Sequence, residues 1–118
     1  MNNSLDQLRQ LLPAEVNLLA VSKGHSESSI RFFANQGQRD FGESRLQEAL
    51  PKISNLADLK LIRWHFIGRL QSNKVRGVIK NFDVIHSVDS LAIGERISRI
   101  SVEESCCPQV LLQVKLLE

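Results

Sequence analysis

Apolar residues along this chain fall into two rhythms that alternate from one end to the other. Short continuous runs occupy Leu18–Ser22, Arg39–Gly42, Trp64–Ile67, Val84–Val88 and Val110–Val114. Runs of this length, without strict in/out alternation, predict strands buried on both faces. Between them the apolar positions recur at helical spacing. Leu46, Ala49, Leu50 and Ile53 stand at i, i+3, i+4, i+7, and so do Val75, Val78, Ile79 and Phe82. Ile30, Phe33 and Ala34 form a shorter stripe, as do Ile93, Ile97 and Ile100. Ser26, Ser72 and Ser90 sit where N-caps belong. Leu5, Leu8 and Leu12 share one face, predicting a short helix ahead of the first strand.

Strand–helix alternation of this kind predicts β/α units in series and hence a parallel sheet. Five parallel strands suit an open doubly wound sheet or the start of a (β/α)8 barrel, and periodicity does not choose between them. The last ten residues, QVLLQVKLLE, read as an apolar strand with no helix after it to cover it. A bare apolar edge invites aggregation. The expectation is therefore that residues 1–118 form one incomplete domain, the first part of a longer fold, with a short helix, five strands and four intervening helices.

Composition narrows the function classes. The 118 residues and the net charge of +2 suit a single globular domain, and the basic residues are scattered rather than gathered into a nucleic-acid-binding stripe. No apolar stretch approaches the ~18 residues of a membrane span. The start, MNNSLDQLRQLL, lacks the basic and apolar blocks of a secretory signal. Cys106 and Cys107 are adjacent, a poor arrangement for a bridge or a metal site, so two reduced thiols and a cytoplasmic location are expected.

In either α/β architecture the site lies beyond the carboxyl ends of the strands. Those ends carry Lys23, then Glu43 and Ser44, then Gly68 and Arg69, then Ser87 and Asp89. Lys23 holds the most chemistry. A lysine half-buried at a strand end would be desolvated, its pKa would fall from ~10.4, and the free amine could attack an aldehyde. His65 reads as an acid/base or equally as a core histidine. Gly42 and Gly68 fit close approach to a ligand or a tight turn. There is no G-x-G-x-x-G or Walker pattern, and the histidines are not at metal spacing.

Five segments then become specific together: LLAVSKG (Leu18–Gly24), GQRDFGESRLQE (Gly37–Glu48), WHFIGRLQSNK (Trp64–Lys74), IHSVDS (Ile85–Ser90) and VLLQVK (Val110–Lys115). In order and spacing the chain resembles the pyridoxal-phosphate homeostasis proteins, from Val16 onward. The resemblance implies a (β/α)8 TIM barrel of the alanine racemase N-terminal type, of which about the first five units are here. It implies pyridoxal 5′-phosphate carried as an aldimine on Lys23, with Ser44, His65 and Ser87 as walls. It implies a protein that buffers or delivers the cofactor, with PLP-dependent apo-enzymes as recipients, rather than an enzyme. Two departures stand out. Where the family reads Gly-Glu-Asn-Tyr, this chain has Gly42-Glu43-Ser44-Arg45, and the last strands that would supply the phosphate cup are missing. The rival readings are a racemase-like enzyme using the same lysine, and a cofactor-free remnant. The racemases add a catalytic tyrosine, and this chain has none.

Overall fold

Each predicted β/α alternation appears in the computed structural model, which describes residues 4–114. Helix α1 (Ser4–Leu11) leads into β1 (Leu19–Val21), α2 (Glu27–Asn35), β2 (Asp40–Glu43), α3 (Leu46–Asn55) and β3 (Arg63–Phe66). A 3-10 turn (Ser72–Lys74) then opens onto α4 (Val75–Asn81), β4 (Val84–Val88), α5 (Leu91–Glu104) and β5 (Gln109–Leu112). Lys115, the last residue of the fifth motif, lies outside the described residues.

The local reasons are legible. Ser26 caps α2 by accepting from the Ser29 N–H, and Ser90 caps α5 by accepting from the Ile93 N–H. Each hydroxyl satisfies an amide that has no partner within its helix. Ser72 caps no helix; it lies inside the 3-10 turn, and Lys74, whose side chain makes no capping bond, precedes α4. The helix stripes become the core. Ile30, Val75, Val78, Ile79, Phe82, Ile97 and Ile100 are buried against Phe41, Trp64, Phe66 and Ile85 of the strands. One stripe differs from its expectation. On α3, Ala49 and Lys52 are buried while Leu50 is exposed, so a lysine fills the inward position three residues on from Ala49.

All neighbouring strands pair in parallel, in the order β1-β2-β3-β4-β5. A doubly wound sheet reverses its strand order near the middle, and this one does not. Successive right-handed crossovers in a single direction put every helix on one face, which is the winding of a barrel. The core accordingly lies between the sheet and α2–α5. The opposite, concave face is lined by Leu19, Asp40, Arg63, His65, His86 and Leu111, around a cavity of about 690 Å³. Burial on both faces therefore holds for β2 but not for β5, whose four residues are all exposed, because no described element packs beyond it. Among the described residues no helix is long and apolar enough to cross a membrane.

Candidate functional site

Strand β1 ends at Val21, and the next three residues build the loop on which Lys23 stands. Ser22 is buried; its N–H donates to the Gly42 carbonyl (2.9 Å) and its hydroxyl to Glu43 Oε2 (2.5 Å). Gly24 turns the chain with φ +76°, a conformation that glycine adopts without a Cβ clash. Lys23 itself is exposed. The half-buried pocket lip expected from the sequence is thus not formed by the described residues: the desolvated residue is Ser22, and Lys23 beside it is exposed.

Behind this loop lies a charged cluster that the helix pattern did not reveal. Glu43, the last residue of β2, is fully buried. Lys52 of α3 donates to both of its carboxylate oxygens (3.0 and 3.3 Å), to the Ser22 carbonyl (3.0 Å) and to Glu48 Oε2 (2.8 Å). Glu48 in turn accepts from the Gly24 N–H at 2.6 Å. Burial pulls the Lys52 ammonium down, but its bonds to Glu48 and Glu43 outweigh that and hold it above the ordinary lysine value. Glu48 is held below the usual carboxylate range by its bonds from Lys52 and from the Gly24 amide. The signal available in the sequence was the Glu48–Lys52 spacing of i, i+4 with the acid first, which reads as a surface pair until the fold turns Lys52 inward.

Ser44 follows Glu43 and is half-buried; with Arg45, Glu48, Arg69, Gln71 and Lys74 it lines a cleft of about 440 Å³. The close approach that Gly68 provides is to protein, not to a ligand: a Cβ there would stand 2.1 Å from the Ser44 carbonyl oxygen. Glu48 joins this cleft to the Lys23 loop.

His65 projects into the concave cavity instead. Its Nε2 lies 2.8 Å from Asp40 Oδ1, and its Nδ1 lies 2.8 Å from Nε2 of His86. A consistent arrangement has His65 Nε2–H donating to the carboxylate and Nδ1 accepting from His86 Nε2–H. Arg63 Nε donates to the same Asp40 oxygen at 2.9 Å. Burial pushes the Asp40 carboxyl up, but the bonds from His65 and Arg63 prevail and leave it below its ordinary value. Burial, with the neighbouring His65, pushes His86 down and favours the neutral ring. Both nitrogens of His65 are hydrogen-bonded within the protein, to Asp40 and to His86. Ser87 is buried, beside a register shift between Ile85 and Val88, and its hydroxyl has no hydrogen-bond partner among the described residues. An orphaned buried hydroxyl costs about 1–3 kcal/mol. The four residues singled out from the sequence take different settings: Lys23 on an exposed loop, Ser44 lining a cleft, His65 lining the concave cavity, and Ser87 buried in β4.

The chain matches no protein-family profile. It is 56% identical over 106 residues to the pyridoxal phosphate homeostasis protein of Synechocystis sp., covering 90% of this chain and 49% of that protein. The chain thus spans about half the length of that curated relative. Among solved structures, PipY of Synechococcus elongatus PCC7942 with PLP bound superposes with a TM-score of 0.93 at 51% identity, over 96% of this chain and 53% of PipY. Alanine racemase of Clostridium difficile 630, at 18% identity and a TM-score of 0.72 over 90% of this chain and 29% of its own, shares the fold. The single-direction strand order is thus that of the racemase-type barrel, and in sequence the chain is similar to the pyridoxal phosphate homeostasis proteins over about half of their length.

Proposed function

We propose that this chain binds pyridoxal 5′-phosphate through Lys23 and serves intracellular cofactor homeostasis as a carrier. The observation that carries the reading is the placement of Lys23. It is an exposed amine at the carboxyl end of β1, on a loop whose flanking residues, Ser22 and Gly24, are both fixed by hydrogen bonds. PipY, solved with PLP bound, shares this framework. The cofactor supplies an aldehyde that condenses with a primary amine, forming a C=N bond and releasing one water. The residues present fit such a group in part. Arg45, Arg69 and Lys74 bring cationic side chains to the cleft of Ser44, at the same end of the sheet as Lys23. The orphaned hydroxyl of Ser87, near the carboxyl end of β4, has hydrogen-bonding capacity that no described group uses. Ser44, His65 and Ser87 are the proposed walls, with His65 contributing its ring face.

A carrier role rather than catalysis is part of this reading, in line with relatives that are named homeostasis proteins. The chain contains no tyrosine, and both nitrogens of His65 are occupied by Asp40 and His86. PLP-dependent apo-enzymes are the proposed recipients.

The test is to add pyridoxal 5′-phosphate, reduce with borohydride and map the label by mass spectrometry. Label at Lys23 is expected, and Lys23→Ala should abolish it while shifting stability by less than about 1 kcal/mol, since an exposed side chain removes no core packing. Label confined to another lysine, such as Lys74, overturns the assignment.

A further inference from the structure

We propose that Glu48, backed by the buried Lys52–Glu43 pair, is a positioning residue for Lys23, holding the β1–α2 loop so that the lysine amine is presented in one orientation. The inference rests on the cofactor-binding reading of Lys23 and adds a role for the charged cluster behind its loop.

The geometry is that of a clamp with two jaws on either side of one residue. On the N-terminal side, the Ser22 carbonyl accepts from Lys52 and the Ser22 hydroxyl donates to Glu43. On the C-terminal side, the Gly24 N–H donates to Glu48 at 2.6 Å. The two jaws are joined, because Lys52 bridges Glu43 and Glu48. The Ser22 carbonyl also accepts from the His25 N–H within the loop (3.0 Å), but every side-chain partner comes from β2 or α3, so the loop of β1 is referenced to the neighbouring unit as well as to its own turn.

A purely structural ion pair would need only Glu43 and Lys52. Glu48 adds little to burial, since its side chain is one-third exposed (33%), yet it alone reaches the backbone on the far side of Lys23. Its charge also suits the task. A carboxylate held below its usual range by Lys52 and the amide stays ionised and keeps accepting across neutral pH. Orientation of a reacting group is worth large factors: misplacement by about 1 Å can cost on the order of 10²-fold. For a loop loosened at one jaw, with the other intact, a loss of about tenfold in the rate of covalent capture is the expected scale.

The experiment uses Glu48→Ala, which opens the outer jaw and leaves the Glu43–Lys52 pair in place, and Glu48→Gln, whose amide oxygen can still accept from Gly24. In the cofactor-free chain, hydrogen exchange at the Gly24 amide should speed up in Glu48→Ala and stay slow in Glu48→Gln, with thermal midpoints close to the parent. With pyridoxal 5′-phosphate and borohydride, Glu48→Ala should label Lys23 about tenfold more slowly, and Glu48→Gln should recover most of the rate. Parent label at Lys23 with an unchanged rate in Glu48→Ala overturns the positioning role while leaving Lys23 as the site. Parent label at some other lysine overturns both readings. A Glu48→Ala chain that loses its cooperative melt also overturns the proposal, since the residue would then be holding the fold and not the loop.

Discussion

Replacing Lys52 by methionine keeps the side chain's length and apolar stem but removes its charge, and the structure fixes what is left behind. Glu43 is 0% exposed. Without the ammonium at 3.0 and 3.3 Å, its carboxylate retains only the Ser22 hydroxyl at 2.5 Å. Breaking a buried pair by deleting one partner costs about 3–5 kcal/mol, because the other charge stays desolvated. That is a large share of the ~5–15 kcal/mol by which a domain is stable. With a urea m-value of about 2 kcal/mol/M, Lys52→Met should lower the unfolding midpoint by roughly 1.5–2.5 M. Adding Glu43→Leu should restore most of it, since well-packed apolar replacements of buried pairs are often neutral. The four chains of the cycle, unfolded in urea and followed by tryptophan fluorescence and circular dichroism, give the coupling directly. A midpoint for Lys52→Met within 0.3 M of the parent (about 0.6 kcal/mol at that slope) would show that water reaches Glu43 freely and that Lys52 does not hold the clamp together.

Two further outcomes follow from the same structure. Gly68→Ala places a Cβ against the Ser44 carbonyl, a backbone atom that has nowhere cheap to move, so a loss of about 1–3 kcal/mol is expected in chemical unfolding; an unchanged midpoint would contradict the close packing of the β2 and β3 ends. Stability against pH should be level from about pH 7 to 10 and fall on both sides. Below about pH 6.5 the depressed His86 begins to cost, and near pH 4 and below the contributions of Asp40 and Glu48, both depressed, are lost as the pH drops through their folded values. Above about pH 10.4 the contribution of Lys52, which is raised, is lost as the pH climbs through its folded value. Urea midpoints across pH 3–11 check this, and a curve flat down to pH 3 would refute it.

How much of this was legible beforehand depends on the kind of signal. Most strands are readable as short apolar runs; β2 (Asp40–Glu43), with Phe41 as its one large apolar residue, is the exception, and four of the five expected ranges lie within about a residue of the observed strand at each end. β5 lies one residue earlier at its start and ends at Leu112, because its apolar pattern continues past its hydrogen bonding. Lys23 at the end of β1 needed only sequence proximity. Lys52 did not yield to pattern reading, since a stripe of apolar residues assigns every lysine to solvent, and only the buried carboxylate of β2 makes the inward position tolerable. The Asp40–His65–His86 chain joins residues more than 20 positions apart, and parallel register alone brings them within hydrogen-bonding distance. His65 was named without its partners, and partners are what decide the role of an imidazole.

The strand order has a consequence for assembly. Each strand pairs only with its neighbours in the chain, and the principal helix contacts join α3 to α4 and α4 to α5. Every such contact closes a loop of roughly one β/α unit, whose closure entropy grows only slowly with length. No strand must wait for distant segments to meet, so the sheet can grow outward from any formed pair. Phe41, Trp64, Phe66 and Ile85 of β2, β3 and β4 meet the helices in the core, whereas β1 pairs with β2 alone among the described strands. β1 then adds to an existing edge. Glu43, Glu48 and Lys52 all belong to β2 and α3, so the socket for the Lys23 loop can exist before the loop arrives. In that order of events the lysine is the last part of its own site to be seated, and the receiving half is built independently of it.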